Sequence, residues 1–313
     1  MGDWLDAAGY AAAWTATGDD DPYFHPAYLA ASAEVGEGEL AAWSDGALVY
    51  PFLVRPLAGG RCDITSAYGF GGPLGRSAGW RGRFREECAR RGVVSEFIRF
   101  HPLRQNDAGM DDVETSLIQE MVTVDVRRGD DGLRAGMRTQ GRRNLSRSAR
   151  EGVDVRQTGD LDRFHAAYTD AMRALGADPF YLFDRAYFAG LEPLGDALVI
   201  LDAGQATALY LCGGGAMHYH LGAVSAEGRR AGAATAMHFD AMRRARNRGL
   251  STLHLGGGLA AGDSLWRFKA TLGDGRAPYR VGRVVHDAGA YAELCRAAGA
   301  DPAAAGRFPA YRA

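Results

Sequence analysis

Of the 36 basic residues in this 313-residue chain, 35 are arginine and one, Lys269, is lysine. An Ala-, Gly- and Arg-rich composition suggests GC-rich codons that replace lysine wherever any cation serves. Lys269 is then either a survivor of that drift or a position that needs a compact ammonium with three donors, which a planar guanidinium cannot imitate. A second charged feature lies upstream, where Arg134, Arg138, Arg142, Arg143, Arg147 and Arg150 follow one another with no acid before Glu151. At helical pitch Arg134, Arg138 and Arg142 align at i, i+4 and i+8, with the other three on the adjoining face. Such a run suits a polyanion that releases counterions on binding; a solvated helix face is the plain alternative. His218 and His220 flank Tyr219 on an apolar run, so strand alternation puts both imidazoles on one face. No carboxylate or cysteine cluster stands near to complete a metal site. The pair is expected to line a pocket or to sit satisfied in the core. His101 ends the apolar stretch FIRFHPL, where functional side chains often sit.

Residues 229 to 234 fit R-x-x-G-x-A, the acyl-CoA loop pattern of N-acetyltransferases, in which a glycine turn presents backbone N–H groups to a pyrophosphate. A plain helix start gives the same letters. No G-x-S-x-G elbow, Walker loop, HExxH or dinucleotide fingerprint occurs, which argues against covalent hydrolases, NTPases and dehydrogenases. A formal charge of -2 excludes a polybasic nucleic-acid binder as a whole but not a local patch. Four scattered cysteines with no CxxC fit a reducing compartment. The first ten residues carry two acids and no apolar run, so no signal peptide is expected. The uncharged stretch from Ala203 to Ala226 is broken by Gly213, Gly214 and Gly215 and reads as strands. A cytoplasmic protein without membrane insertion is the expectation.

The elements that must position these residues come in a repeated order. LAAWSDGALVYPFLVRPL is a hairpin about Ser44-Asp45-Gly46, followed by the glycine loop YGFGGPLG, a helix near 78–91 and the strand VVSEFIRF. Later, ALVILD and ATALYLCG flank a short turn, AMHYHLGA follows a glycine turn, residues 229–249 form a helix, and STLHLGGG is a strand leading to the short helix SLWRFK. Two copies predict tandem α/β domains, 1–135 and 136–283, with 284–313 packing back on the first.

Several stretches together resemble the FemABX family, aminoacyl-tRNA-dependent transferases built from two acetyltransferase-like domains: YGFGGPL, FIRFHPL, RRNLSRSAREGVDV, MHYHLGA and, above all, HLGGG followed by DSLWRFK. The resemblance implies an α/β (α+β) fold of two tandem GNAT-like domains with mixed, largely antiparallel sheets. It implies aminoacyl-tRNA as co-substrate with no bound cofactor, and peptide-bond formation on an amine. Lys269 would stabilise the charge that develops during transfer, with His101 as a near-neutral imidazole where peptidoglycan-acting members carry an acid. Phe268, Trp266, Tyr68, His218 and His220 would contact substrate and the six arginines the tRNA. Phe183 stands where the sugar-nucleotide-binding pattern has an arginine, with Arg185 close by, and no long helical-hairpin arm is present. A short member acting on a small peptide-like acceptor, like the alanyl-transferring members of uridyl-peptide antibiotic biosynthesis, fits better than one acting on a muropeptide. A CoA-dependent N-acyltransferase and a non-catalytic RNA-binding protein are the rival expectations.

Overall fold

The computed structural model describes residues 2–36, 38–303 and 306–312. The chain forms two compact units, Met1–Asp19 with Tyr23–Ile118 and Tyr279–Ala313, and Asp20–Pro22 with Gln119–Pro278. The first opens with β1 (Asp3–Leu5), α1 (Ala7–Thr17) and α2 (Pro26–Val35), then the hairpin β2 (Glu39–Ser44) and β3 (Leu48–Pro56), β4 (Cys62–Thr65), the short β5 (Leu74–Gly75), α3 (Trp80–Arg90) and β6 (Val93–Arg99). Gly46 takes φ 85° in the hairpin turn, a conformation that glycine adopts without strain. Strands run β1-β2-β3-β4-β6, with β5 on β3, antiparallel throughout except for β4 beside β6, the two strands joined through α3. Trp43, Tyr50, Phe52, Trp80, Phe84 and Ile98 fill the core between α3 and this sheet.

Inside that core lies a charged group. The Glu96 carboxylate receives two hydrogen bonds from Arg81 at 2.9 and 3.0 Å, one from the Tyr50 hydroxyl at 2.8 Å and a contact from His286 Nε2 at 3.1 Å. Burial pushes its pKa up, but Arg81 and His286 outweigh burial and hold it at about 2.

The second unit takes up β7 (Glu114–Asp125) from its sixth residue. It continues with α4 (Asp130–Gly136), α5 (Thr139–Arg150), β8 (Arg156–Thr158), α6 (Leu161–Ala174), α7 (Arg185–Gly190), β9 (Leu198–Asp202), β10 (Ala206–Gly213), β11 (Ala216–Val224), α8 (Ala226–Ala231), α9 (Ala233–Asn247), β12 (Thr252–Gly256) and α10 (Ser264–Lys269). Its strands run β7-β12-β11-β10-β9-β8, all antiparallel except β11 beside β12. Every residue of β10 is buried, which is why it reads as a continuous apolar run rather than an alternating one. The chain then passes along β13 (Gly275–Val285) back to the first unit, where β13 pairs with β6 and α11 (Ala288–Ala297) follows. There Arg312, with Tyr311, closes on buried Asp63, which Arg55 also holds at 2.6 Å.

Each unit therefore repeats hairpin, helix and strand with one parallel pair. The sequence-based division at 135 falls within α4, whereas the units meet the chain at 118/119 and 278/279, inside strands β7 and β13. No composition change marks a strand that begins in one unit and ends in another. Among the described residues no helix is long and apolar enough to cross a membrane.

Candidate active site

The second unit's parallel pair is short. β11 and β12 are in register only from Ala216 to His218 and from Thr252 to His254. Beyond that, β11 stays with β10 and β12 with β7. A β-bulge adds to the divergence, since Leu209 faces Leu221 while Tyr210 faces Tyr219, leaving His220 as the extra residue. A notch opens at the carboxyl ends of the two strands, the end of a parallel pair where ligands commonly bind in α/β proteins.

Lys269 fills that notch. It ends α10, whose start is fixed by Asp263: one carboxylate oxygen accepts from the Trp266 N–H at 2.7 Å, the other from Leu259 and Ala260 N–H at 2.8 and 3.2 Å. This N-cap sets the helix where the turn 257–263 requires it. The Lys269 ammonium donates to the Gly257 carbonyl at 2.7 Å and lies 5.0 Å from the centre of the Tyr219 ring. Only 5% of the residue is exposed, and no carboxylate forms an ion pair with it among the described residues. Burial lowers its pKa to about 8, against a smaller upward pull from Asp263. An ammonium with three donors that spends one on a carbonyl beside a ring face keeps a donor for a ligand oxygen.

Behind it stands a neutral wall. His238 of α9 bonds the Tyr210 hydroxyl through Nδ1 at 2.8 Å, and its ring meets Tyr219 edge-on at 4.8 Å. Burial, with Lys269 adding to it, lowers the His238 pKa to about 3, so the imidazole stays uncharged beside the ammonium. Neither His238 nor Tyr219 was singled out from the sequence. His238 lies mid-helix with no motif around it, and Tyr219 was passed over for the histidines that flank it.

The other expected residues divide between the units. Phe268 is half-buried near His238, and Trp266 donates its indole N–H to the Glu120 carbonyl at 2.7 Å under the Arg276 guanidinium. His218, paired with Leu211, lies on the opposite face of β11 from Tyr219, but the bulge at His220 interrupts the alternation expected to carry both imidazoles to one face. His218 packs against His254 with their Nδ1 atoms 3.3 Å apart, while His220 Nε2 meets the Tyr187 hydroxyl at 2.7 Å. Burial, then the neighbouring His218, lowers the His220 pKa to about 3. Phe183 stacks on Tyr187, and Arg185 forms a two-pronged surface pair with Asp162 at 2.5 and 2.9 Å. Tyr68 and His101 belong to the first unit. There the Tyr68 carbonyl accepts from the Tyr28 hydroxyl, and His101 Nδ1 accepts from the Leu103 N–H at 3.2 Å within a cluster of Tyr23, Phe24 and Phe70.

The arginine run is not one helix. Arg134 lies in the last turn of α4, Met137 is extended at ψ 144°, and Arg138 sits at the extended position before α5, so the expected i, i+4, i+8 alignment of Arg134, Arg138 and Arg142 is broken. Met137 is buried, and tertiary packing of its side chain wins over helix continuation. Arg134 instead lies over the Phe239 ring of α9 at 5.0 Å. α5 presents Arg142, Arg143 and Arg150 to solvent, with Arg147 half-buried, while Gly141, Leu145 and Ser148 face inward. None of the six arginines is in an ion pair among the described residues. The helix is seated on the turn after Lys269: the Arg138 N–H donates to the Thr271 carbonyl at 2.9 Å, and a Cβ on Gly141 would fall 2.3 Å from that same oxygen. Glycine at 141 is what lets the two backbones meet.

The R-x-x-G-x-A letters span two helices. α8 ends and α9 begins at Gly232, with φ 78°, where a Cβ would fall 2.6 Å from the Asn144 carbonyl of α5. Ala233 is buried there, so α5 covers the start of α9.

Residues 134–270 match the family model described as an acetyltransferase (GNAT) domain. No curated protein matches the chain. Among solved structures the chain is similar to FemX, at 15% identity with a TM-score of 0.63 over 82% of this chain and 90% of that one. It is also similar to the C-terminal domain of a putative lysylphosphatidylglycerol synthetase from Agrobacterium fabrum, at 17% identity and 0.59 over 93% and 96%. A tandem GNAT protein from the clavulanic acid biosynthesis pathway gives 11% and 0.50 over 91% and 99%. The fold is mixed α/β of the GNAT type, with neighbours that include tandem GNAT proteins.

Proposed function

We propose that the protein transfers an aminoacyl group from aminoacyl-tRNA to the amine of a small peptide-like acceptor, with Lys269 as the electrostatic catalyst. The observation that carries this reading is a buried ammonium, held by one carbonyl and one ring face, at the end of a helix whose following turn seats α5 and its arginines. In the reaction the acceptor amine attacks the ester carbonyl, a C–N bond forms, and the carbonyl electrons move onto oxygen. Collapse of that oxyanion breaks the C–O bond to the ribose; the amine loses a proton and the ribose oxygen gains one. A fixed ammonium aimed at the oxyanion is worth ~10² to 10³ in rate. The route requires no enzyme nucleophile, in keeping with the motifs absent from the sequence.

Arginines 138, 142, 143 and 150 would take the phosphates near the acceptor end of the tRNA. The sequence resemblance to the FemABX family and the likeness of the fold to FemX support this donor. A CoA-dependent N-acyltransferase is the second reading, favoured by the GNAT description of residues 134–270. Against it, α5 lies over Gly232, the turn that would have to receive a pyrophosphate. Incubation with charged tRNA and amine-bearing peptides separates the two. An RNase-sensitive peptide product supports the aminoacyl reading, and a product from acetyl-CoA alone overturns it.

A further inference from the structure

β7 reaches both walls of the Lys269 notch through two consecutive residues. The Gln119 side chain lies along the glycine turn that follows β12: its amide N–H donates to the Gly258 carbonyl at 3.1 Å, and its amide oxygen accepts from the Gly258 N–H at 3.1 Å. These paired bonds imitate one rung of a β-ladder, continued by a side chain where the backbone pairing of β12 with β7 has ended at Gly256 and Val122. The fit is close, since a Cβ on Gly257 would fall 2.4 Å from the Gln119 oxygen. Next along β7, the Glu120 carbonyl holds the Trp266 indole of α10 at 2.7 Å. One wall of the notch is the turn that supplies the Gly257 carbonyl; the other is the helix that supplies Lys269. Residues 119 and 120 hold them at a fixed separation, and the ammonium spans it with a 2.7 Å bond.

We propose that Gln119 is a positioning residue: by clamping Gly258 it fixes the Gly257 carbonyl, and through it the direction and dryness of the Lys269 ammonium. Gln119 touches no reacting atom in this account. Its loss lets the turn 257–263 swing away, admits water to the ammonium and leaves Lys269 free to rotate. A dry ammonium is stronger toward an oxyanion than a hydrated one, because each electrostatic contact gains in a low dielectric. The proposal deepens the transfer reading and rests on it for its catalytic meaning.

The test uses the single lysine. Lysine-selective ¹³C labelling of the full chain gives one side-chain signal, that of Lys269, whose titration reports its surroundings without any assay of activity. Gln119→Met keeps the length and removes both bonds; Gln119→Ala removes the bulk as well. In both variants the titration midpoint of the signal is expected to rise by about one pH unit toward the ordinary lysine value as water enters. Turnover with charged tRNA should fall ~10-fold or more with little change in KM. If the variants fold and the lysine midpoint stays where it is in the parent protein, the proposal is overturned, whatever the activity does. If the midpoint moves but no transfer is seen with any variant or with the parent, the transfer reading fails and the clamp on Lys269 stands. Should one variant fail to fold, the other decides.

Discussion

The cost of keeping Lys269 where it is can be measured apart from any reaction. Its folded pKa of about 8 lies below the ordinary 10.5, so between those values the folded chain binds fewer protons than the unfolded one. Stability therefore rises as pH climbs through that window, and at pH 7 the charged group opposes folding. Lys269→Met, which keeps the packing and drops the charge, is expected to raise unfolding free energy at pH 7, by on the order of 3 kcal/mol at most. The gap should close as pH approaches 10.5, as followed by urea denaturation at several pH values. A more stable but inactive variant is the signature of a residue kept for function. Lys269→Arg should lose turnover ~100-fold or more, because the planar fork cannot occupy a pocket shaped for one nitrogen between Gly257 and Tyr219. The lysine's peculiarity was legible from composition alone. Its partners Tyr219 and His238 were not, because the notch depends on where two strands stop pairing, and no residue pattern announces that point.

At the scale of elements, α5 does two things with its two faces. Its inner face meets the α10 turn at Gly141, so Gly141→Ala should lower stability by ~1 to 3 kcal/mol despite the better helix propensity of alanine, since the added methyl meets a backbone oxygen. Thermal melting of the variant checks this, and an unchanged or higher Tm would mean that α5 can shift without cost. Its outer face carries unpaired arginines, and Arg142→Gln with Arg143→Gln should flatten the slope of log K against log salt for tRNA binding by about 0.7 to 0.9 per lost phosphate contact. The arginine spacing predicted one continuous stripe, and buried Met137 broke it. The hairpin about Ser44-Asp45-Gly46, the strand β12 and the helix α10 were readable because their turns and apolar patterns lie in the local sequence. Contacts such as Gly232 against Asn144 join segments far apart and leave no local trace.

Across the whole molecule the two units differ in the groups that tie stability to pH. In the first, Glu96 has a folded pKa of about 2 against an ordinary 4.5, so its contribution to stability is complete above 4.5 and is lost as pH falls through about 2. In the second unit Lys269 acts in the alkaline window, while His220 and His238, with folded pKa values of about 3 against an ordinary 6.5, withdraw stability as pH falls from 6.5 toward 3. Hydrogen exchange followed by unit should show acid loosening the second unit, whose buried neutral histidines resist protonation below an ordinary 6.5, before the first, whose Glu96 yields only below 4.5. Arg81→Met, which strands the buried carboxylate, should cost ~3 to 5 kcal/mol at pH 7, and that cost should shrink as Glu96 protonates on acidification. Equal acid loosening of both units, or earlier loosening of the first, would place the acid-sensitive groups elsewhere.

The central claim is that the buried ammonium of Lys269 serves transfer from an RNA-borne ester. The most direct measurement is formation of peptide product from tRNA carrying a radiolabelled amino acid and a panel of small amine-bearing peptides, with the parent protein and Lys269→Arg side by side. An RNase-sensitive product is expected with the parent, and a loss of ~100-fold or more with the variant. Product that persists undiminished in Lys269→Arg, or that forms from acetyl-CoA with no RNA present, would contradict it.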